Sequence, residues 1–254
     1  MRAIGRGVII AAGLLLFWQV VVAVSGVPHF ILPAPLAVAR AGLSQFELLA
    51  HHGAITALEI VLGLFFGTLL GAVTALVIAQ WRQARGWLLP VLVASQAIPV
   101  FALAPLLVLW LGYGLASKIT MAALIIFFPV TASFLDGLNR TDPGWLDLAR
   151  VMTAGRPGSR FTILWRLRLP AALPAFVSGL RVAAAVAPIG AVVGEWVGAS
   201  AGLGYLMLHM IARAKTDLVF AALLLLCLLG LVLYFLVDRL GRALTPWQSD
   251  SAGT

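Results

Sequence analysis

Residues 54–80 read AITALEIVLGLFFGTLLGAVTALVIAQ, an unbroken apolar run whose only ionisable residue is Glu59. A hydrocarbon core of about 30 Å needs roughly 20 helical residues to cross it, so the run is long enough to span a bilayer. Lipid cannot bond to open backbone groups, which leaves helices or a closed barrel as spanning structures. Barrel strands alternate in polarity over about ten residues. This run does not alternate, so it reads as a helix. Comparable runs near 8–25, 87–111, 117–136, 173–197 and 218–238 predict an all-α membrane protein with about six transmembrane helices in one domain, 1–254. Composition agrees: 62% of residues are hydrophobic and 10% charged, against about a quarter charged in soluble domains.

The net charge of +8 would suit nucleic acid if it formed a patch, but it follows the loops instead. With the N-terminus inside, twelve of the seventeen Lys and Arg residues fall in cytoplasmic segments, from Arg2 and Arg6 to Arg239 and Arg242. Arg40, Lys118, Arg213 and Lys215 fall outside, and Arg181 lies within a span. Cytoplasmic loops retain positive charge, so the bias predicts both termini inside and no nucleic-acid partner. The run from Val8 is long and no small-x-small cleavage site follows it, so it reads as a retained span rather than a signal peptide. Prolines at 28, 33 and 35 predict an extended outer connector, followed by an amphipathic stretch, 36–50, along the outer surface. Cys227 is the single cysteine and reads as packing; no metal-ligand spacing is present.

Ionisable groups within a span point to function, because each is costly unless paired or wetted. Glu59, Arg181 and Glu195 qualify. Arg181 lies toward the inner side, where it can snorkel. Glu59 and Glu195 lie toward the outer half, and Glu195 has Gly194 and Trp196 beside it. Either the carboxylate meets an entering solute or it bonds to a neighbouring helix. Gln96 and Pro99 join Glu59, Glu195 and Trp196 as candidates for a translocation pathway. Pro99 and Pro188 each remove a helix hydrogen bond, freeing carbonyls that line a pathway or merely kink a helix. His51 and His52 lack partners at ligand spacing and read as surface residues.

Gly63, Gly67 and Gly71, and likewise Gly190, Gly194 and Gly198, recur every four residues. Each trio shares one helix face and permits close helix approach, either within a subunit or at a sliding or dimer contact.

The segment 137–170 is the only large cytoplasmic feature. Asp147-Leu148-Ala149-Arg150 begins a short helix that breaks at Gly155–Gly158, and a second helix passes through Leu167-Arg168-Leu169-Pro170 into the fifth span. This is a compact projecting knob or an ordinary basic loop. No Gly-rich phosphate loop with Lys-Ser/Thr occurs, nor any set of nucleophile, base and orienter, so the chain has no visible catalytic machinery.

At this segment the sequence resembles the permeases of binding-protein-dependent ABC importers. They carry an acidic-Ala-Ala element, then glycine, then Ile-x-Leu-Pro; Asp147-Leu148-Ala149 and Leu167-Arg168-Leu169-Pro170 match its two ends. Thr153 stands where glycine is usual, with Gly155 and Gly158 nearby, and the spacing to Leu169-Pro170 is about four residues longer than usual. Ile31-Leu32-Pro33-Ala34-Pro35, Ala171-Ala172-Leu173-Pro174 and Gly198 to Tyr205 resemble the nitrate/sulfonate/taurine branch. Phe127-Phe128-Pro129-Val130-Thr131 and Val193-Gly194-Glu195-Trp196 are most similar to permeases assigned to hydroxymethylpyrimidine, the thiamine precursor.

The resemblance implies a type I ABC importer permease (MetI-like) fold. It implies a bacterial inner-membrane location, two permease copies, an ABC ATPase subunit docked on the 137–170 loop, and a periplasmic solute-binding protein. ATP-Mg would sit on the ATPase, with no cofactor on this chain. Sulfonate, taurine or nitrate remain alternative solutes. An ion-coupled secondary transporter or a membrane scaffold remains the alternative of another class.

Overall fold

The computed structural model describes residues 2–155 and 157–248. Helices come in the order α1 (Arg2–Ser25), α2 (Pro35–Ser44), α3 (Phe46–Gln80), α4 (Arg82–Ser95), a 3₁₀ turn (Val100–Leu103), α5 (Ala104–Leu111) and α6 (Leu115–Asn139). There follow α7 (Pro143–Met152), α8 (Ser159–Ile163), a π turn (Leu164–Arg168), α9 (Leu169–Gly198), α10 (Leu203–Ala212) and α11 (Thr216–Leu244). No strand occurs among the described residues.

Three single helices, α3, α6 and α11, are long and apolar enough to cross a membrane, as is the continuous run Ser159–Gly198. Gln83–Ser95 and Val100–Leu111 are apolar enough only as a pair, bent by 91°, the geometry of a broken span or of a re-entrant loop. The apolar part of α1, Ile9–Ser25, completes about six.

The third span, read from the sequence as 87–111 with Pro99 interrupting its hydrogen bonding, is sharply bent. It breaks at 96–99, because Pro99 lacks an N–H and its backbone is extended (φ −62°, ψ 110°). Pro188 does the opposite: α9 continues through it. Helix α3 begins at Phe46 rather than near 54, and the stretch 36–50 divides between α2 and α3 at Gln45. Large apolar side chains recurring every three or four residues, Leu58, Val61, Phe65, Leu69 and Val73 on α3, point outward, the pattern of a lipid-facing helix surface.

Helix α6 is the centre of the bundle, between α3 and α9. A Cβ on Gly63 would strike Ala122, and one on Gly67 would lie 2.8 Å from Ile126 Cβ. From the other side, a Cβ on Gly190 would lie 2.7 Å from Ala122 Cα, and one on Gly194 would lie 3.2 Å from Lys118 Cα. Gly71 faces Val130 and Thr131, while Gly198 faces Val108 of α5. Both glycine trios are therefore contacts within one chain, and all six glycines are buried. With no hydrophobic drive between helices in lipid, such close backbone approach supplies the packing.

Candidate functional site

Two features carry chemistry, one at each end of the bundle. At the α10 end, α3 presents His52, Thr56 and Glu59 on one face, opposite Lys118 of α6 and Glu195 of α9. Lys118 Nζ lies 2.7 Å from Glu59 Oε1 and donates a longer bond, 3.4 Å, to the Ala201 carbonyl. The Thr56 hydroxyl donates to Glu195 Oε1 at 2.6 Å and accepts the Leu203 N–H at 2.8 Å. Gly202 N–H donates to His52 Nδ1 at 2.9 Å, which places the ring proton of neutral His52 on Nε2. Gly204 N–H donates to Glu195 Oε2. Three successive amides opening α10 are thus held by side chains of α3 and α9. These are donors that a helix N-terminus cannot satisfy itself, and a carboxylate suits its positive end.

The turn is built for this carboxylate. Gly202 has φ +122°, and a Cβ there would overlap the Glu195 carboxyl group; one on Gly204 would lie 2.9 Å from Oε2. Thr56 and Glu59 are fully buried, Glu195 is 1% exposed and Lys118 5%.

The pathway candidates therefore separate. Glu59 and Glu195 come together in a closed cluster, so of the two readings of Glu195 the structure shows the carboxylate bonded to neighbouring elements. Trp196 is 52% exposed, away from that cluster. Gln96 and Pro99 are exposed at the break between α4 and the 3₁₀ turn. His52, expected at the surface, is buried, stacks on Tyr205 and caps the turn. Lys118, counted among the outer charges at the start of the 117–136 span, is a buried member of α6. The signal was Glu59, a carboxylate within a span, which is costly unless a cation lies near it. Arg181 does not simply snorkel: its Nε lies 2.8 Å from Asp238 Oδ1 of α11, and Asp238 also pairs with Arg242.

At the other end, α7 and α8 form a helical hairpin. Asp142 caps α7, accepting from Gly144 N at 2.7 Å and Trp145 N at 3.3 Å, with Pro143 at the first helical position. Asp147 and Arg150 pair at 2.7 Å on the exposed surface. Trp145, Leu148, Val151 and Met152 are 60–75% exposed. Leu146, Arg150 and Thr153 instead line an open cavity of about 730 Å³ with Ser159, Arg160 and Arg168, so the four exposed apolar side chains lie on the face of α7 turned away from it.

Thr153 ends α7 at φ −106°, its hydroxyl donating to Ala149 O at 2.7 Å. That conformation needs no glycine. The left-handed positions are Gly155 (φ +74°) and Gly158 (φ +79°), which accounts for the displaced glycine. Leu167 ends in the π turn, and Leu169 and Pro170 open α9. Arg168 donates from Nε and Nη2 to Leu138 O (3.2 and 2.9 Å) and from Nη1 to Ala79 O (3.3 Å). Its role was not foreseen, since the sequence does not reveal which carbonyls lie within reach.

The chain is similar to known proteins along most of its length. A probable ABC transporter permease protein of Haemophilus influenzae is 55% identical over 235 residues, 92% of this chain and 94% of that protein. The riboflavin transport system permease protein of Chloroflexus aurantiacus is 37% identical, over 93% of this chain and 88% of its own. The formylaminopyrimidine transport permease protein of Halalkalibacterium halodurans is 36% identical, over 92% of each. A chain from the MetNI methionine ABC transporter, solved in inward-facing conformations, superposes with a TM-score of 0.67 at 22% identity, covering 80% of this chain and 98% of that one; the likeness is one of fold. Residues 63–247 match the binding-protein-dependent transport system inner membrane component family, and the chain belongs to that family, the permease subunits of ABC transporters.

Proposed function

We propose that two copies of this chain form the translocation pathway of an ATP-driven importer for a small polar solute, hydroxymethylpyrimidine or a related thiamine precursor. In this reading the α7–α8 hairpin is cytoplasmic and docks on a separate ATPase that holds ATP-Mg. Both termini lie on the same side, and a periplasmic binding protein delivers solute at the α10 end.

The observation that carries the docking reading is the outward face of α7. Trp145, Leu148, Val151 and Met152 are apolar and exposed on a helix capped at one end and closed by glycine turns at the other. Such a face on a polar-flanked projection suits a protein groove. ATP can shift such a permease only by binding one state of the assembly better than the other.

The solute reading is supported by the relatives named for formylaminopyrimidine and for riboflavin, both nitrogen heterocycles. The second of these favours a flavin as the rival solute. The test is calorimetric titration of the cognate binding protein with hydroxymethylpyrimidine, formylaminopyrimidine, riboflavin and taurine, followed by uptake of the bound compound by cells expressing the whole system. Preference for either pyrimidine supports the reading; preference for riboflavin or taurine overturns it.

A further inference from the structure

Arg168 closes the π turn where the hairpin enters α9, and it touches two other spans. The carbonyls it binds, Ala79 and Leu138, lie in the last turns of α3 and α6. There a helix supplies no N–H of its own, and a cation complements the negative end. One planar guanidinium thus satisfies two helix termini that no backbone group reaches. Arg168 makes no ion pair among the described residues, so nothing draws it from these carbonyls.

The local chain explains how it gets there. Pro170 has no N–H and its ring crowds the carbonyl four residues back. The ladder widens, and Leu169 N–H reaches Leu164 O instead. A π turn of this kind admits one extra residue without ending the helix. Leu164 and Ala172, on either side of it, pack with Ile78, Leu135 and Leu138 at the same level. The second helix of the hairpin is therefore continuous with α9 and fastened to α3 and α6 by one side chain.

We propose that Arg168 is a positioning residue of ATP-coupled transport: it makes the ends of α3, α6 and α9 follow the docking hairpin as one body. The proposal rests on the docking reading above. Without Arg168, a displaced hairpin would still carry α9 through the backbone, while at this end of the bundle α3 and α6 would be held to it by apolar packing. Lysine is a poor replacement, because its donors all sit on one nitrogen, whereas the guanidinium reaches Ala79 O from Nη1 and Leu138 O from Nε and Nη2.

The test uses the assembled complex with its ATPase, in a Cys227→Ser background with a spin label at Tyr113→Cys, in the exposed turn between α5 and α6. Label-to-label distances between the two permease copies are measured with and without ADP-vanadate. Arg168→Met is expected to co-purify ATPase at the unmodified level, to trap ADP-vanadate, and to lose at least two thirds of the distance change. Arg168→Lys is expected to show the same loss, and it carries the test should Arg168→Met fail to assemble. An unchanged distance response in either assembled variant overturns the proposal. Leu148→Asp separates the two readings: full ATPase co-purification with that variant overturns docking itself, whereas a normal response in the Arg168 variants overturns only the coupling role.

Discussion

Lys118 of α6 and Glu59 of α3 form an ion pair of 2.7 Å whose side chains are 6% and 0% exposed. Neither charge has water to fall back on, and Glu195 stands beside them in the same closed cluster. The pair fastens the central helix to α3 where the α10 turn closes over it.

Removing one partner therefore strands the other. Lys118→Met is expected to destabilise the folded chain by about 3–5 kcal/mol, the usual cost of an uncompensated buried charge. Glu59→Leu combined with Lys118→Met should recover most of that loss. Thermal unfolding in detergent checks both, and a double variant no more stable than the single one would count against the pairing.

Gly202 and Gly112 both have positive φ, but only Gly202 faces a side chain. Alanine at either should cost about 1–3 kcal/mol in backbone strain. At Gly202 the new Cβ also meets the Glu195 carboxyl group, whereas at Gly112 nothing lies within 4 Å. Gly202→Ala should lower the melting temperature clearly more than Gly112→Ala, and adding Glu195→Ala should narrow the gap.

Ala122 is pressed from both sides by glycines. Gly63→Ala should cost about 1–3 kcal/mol through overpacking, and Ala122→Gly in the same chain should restore part of it, because the Gly63 clash is with the Ala122 Cβ. Cysteines at Gly190 and Gly194 should not crosslink between copies in any nucleotide state, since both positions are covered by α6. Efficient crosslinking there would revive the dimer-contact reading.

The outward face of α7 gives a prediction in which stability and function part. Asp147→Lys breaks an exposed pair worth about 0–1 kcal/mol, so expression and melting should be unchanged. Transport should nonetheless be abolished, as it should with Gly158→Pro, whose residue must adopt φ +79°. Normal uptake by both variants would remove the docking assignment.

The sequence by itself determined the class of structure. Apolar runs such as 54–80 leave a chain in lipid no alternative to a helix, and the glycines at 155 and 158 marked a turn between two short helices in 147–170. The glycine trios were legible as close-packing faces, because spacing alone places them on one side of a helix. Tertiary structure decided which partner each group meets. Helical phase does not say that Gly63 and Gly190 press on the same Ala122, that Lys118 lies inside α6 opposite Glu59, or that His52 holds the Gly202 amide. Nor does it say that the Arg168 fork reaches carbonyls 30 and 89 residues away in the chain. Hydrophobic patterning is a property of one segment, readable one turn at a time. Charge pairing and carbonyl capping depend on the distance between segments, which is fixed only when the helices pack.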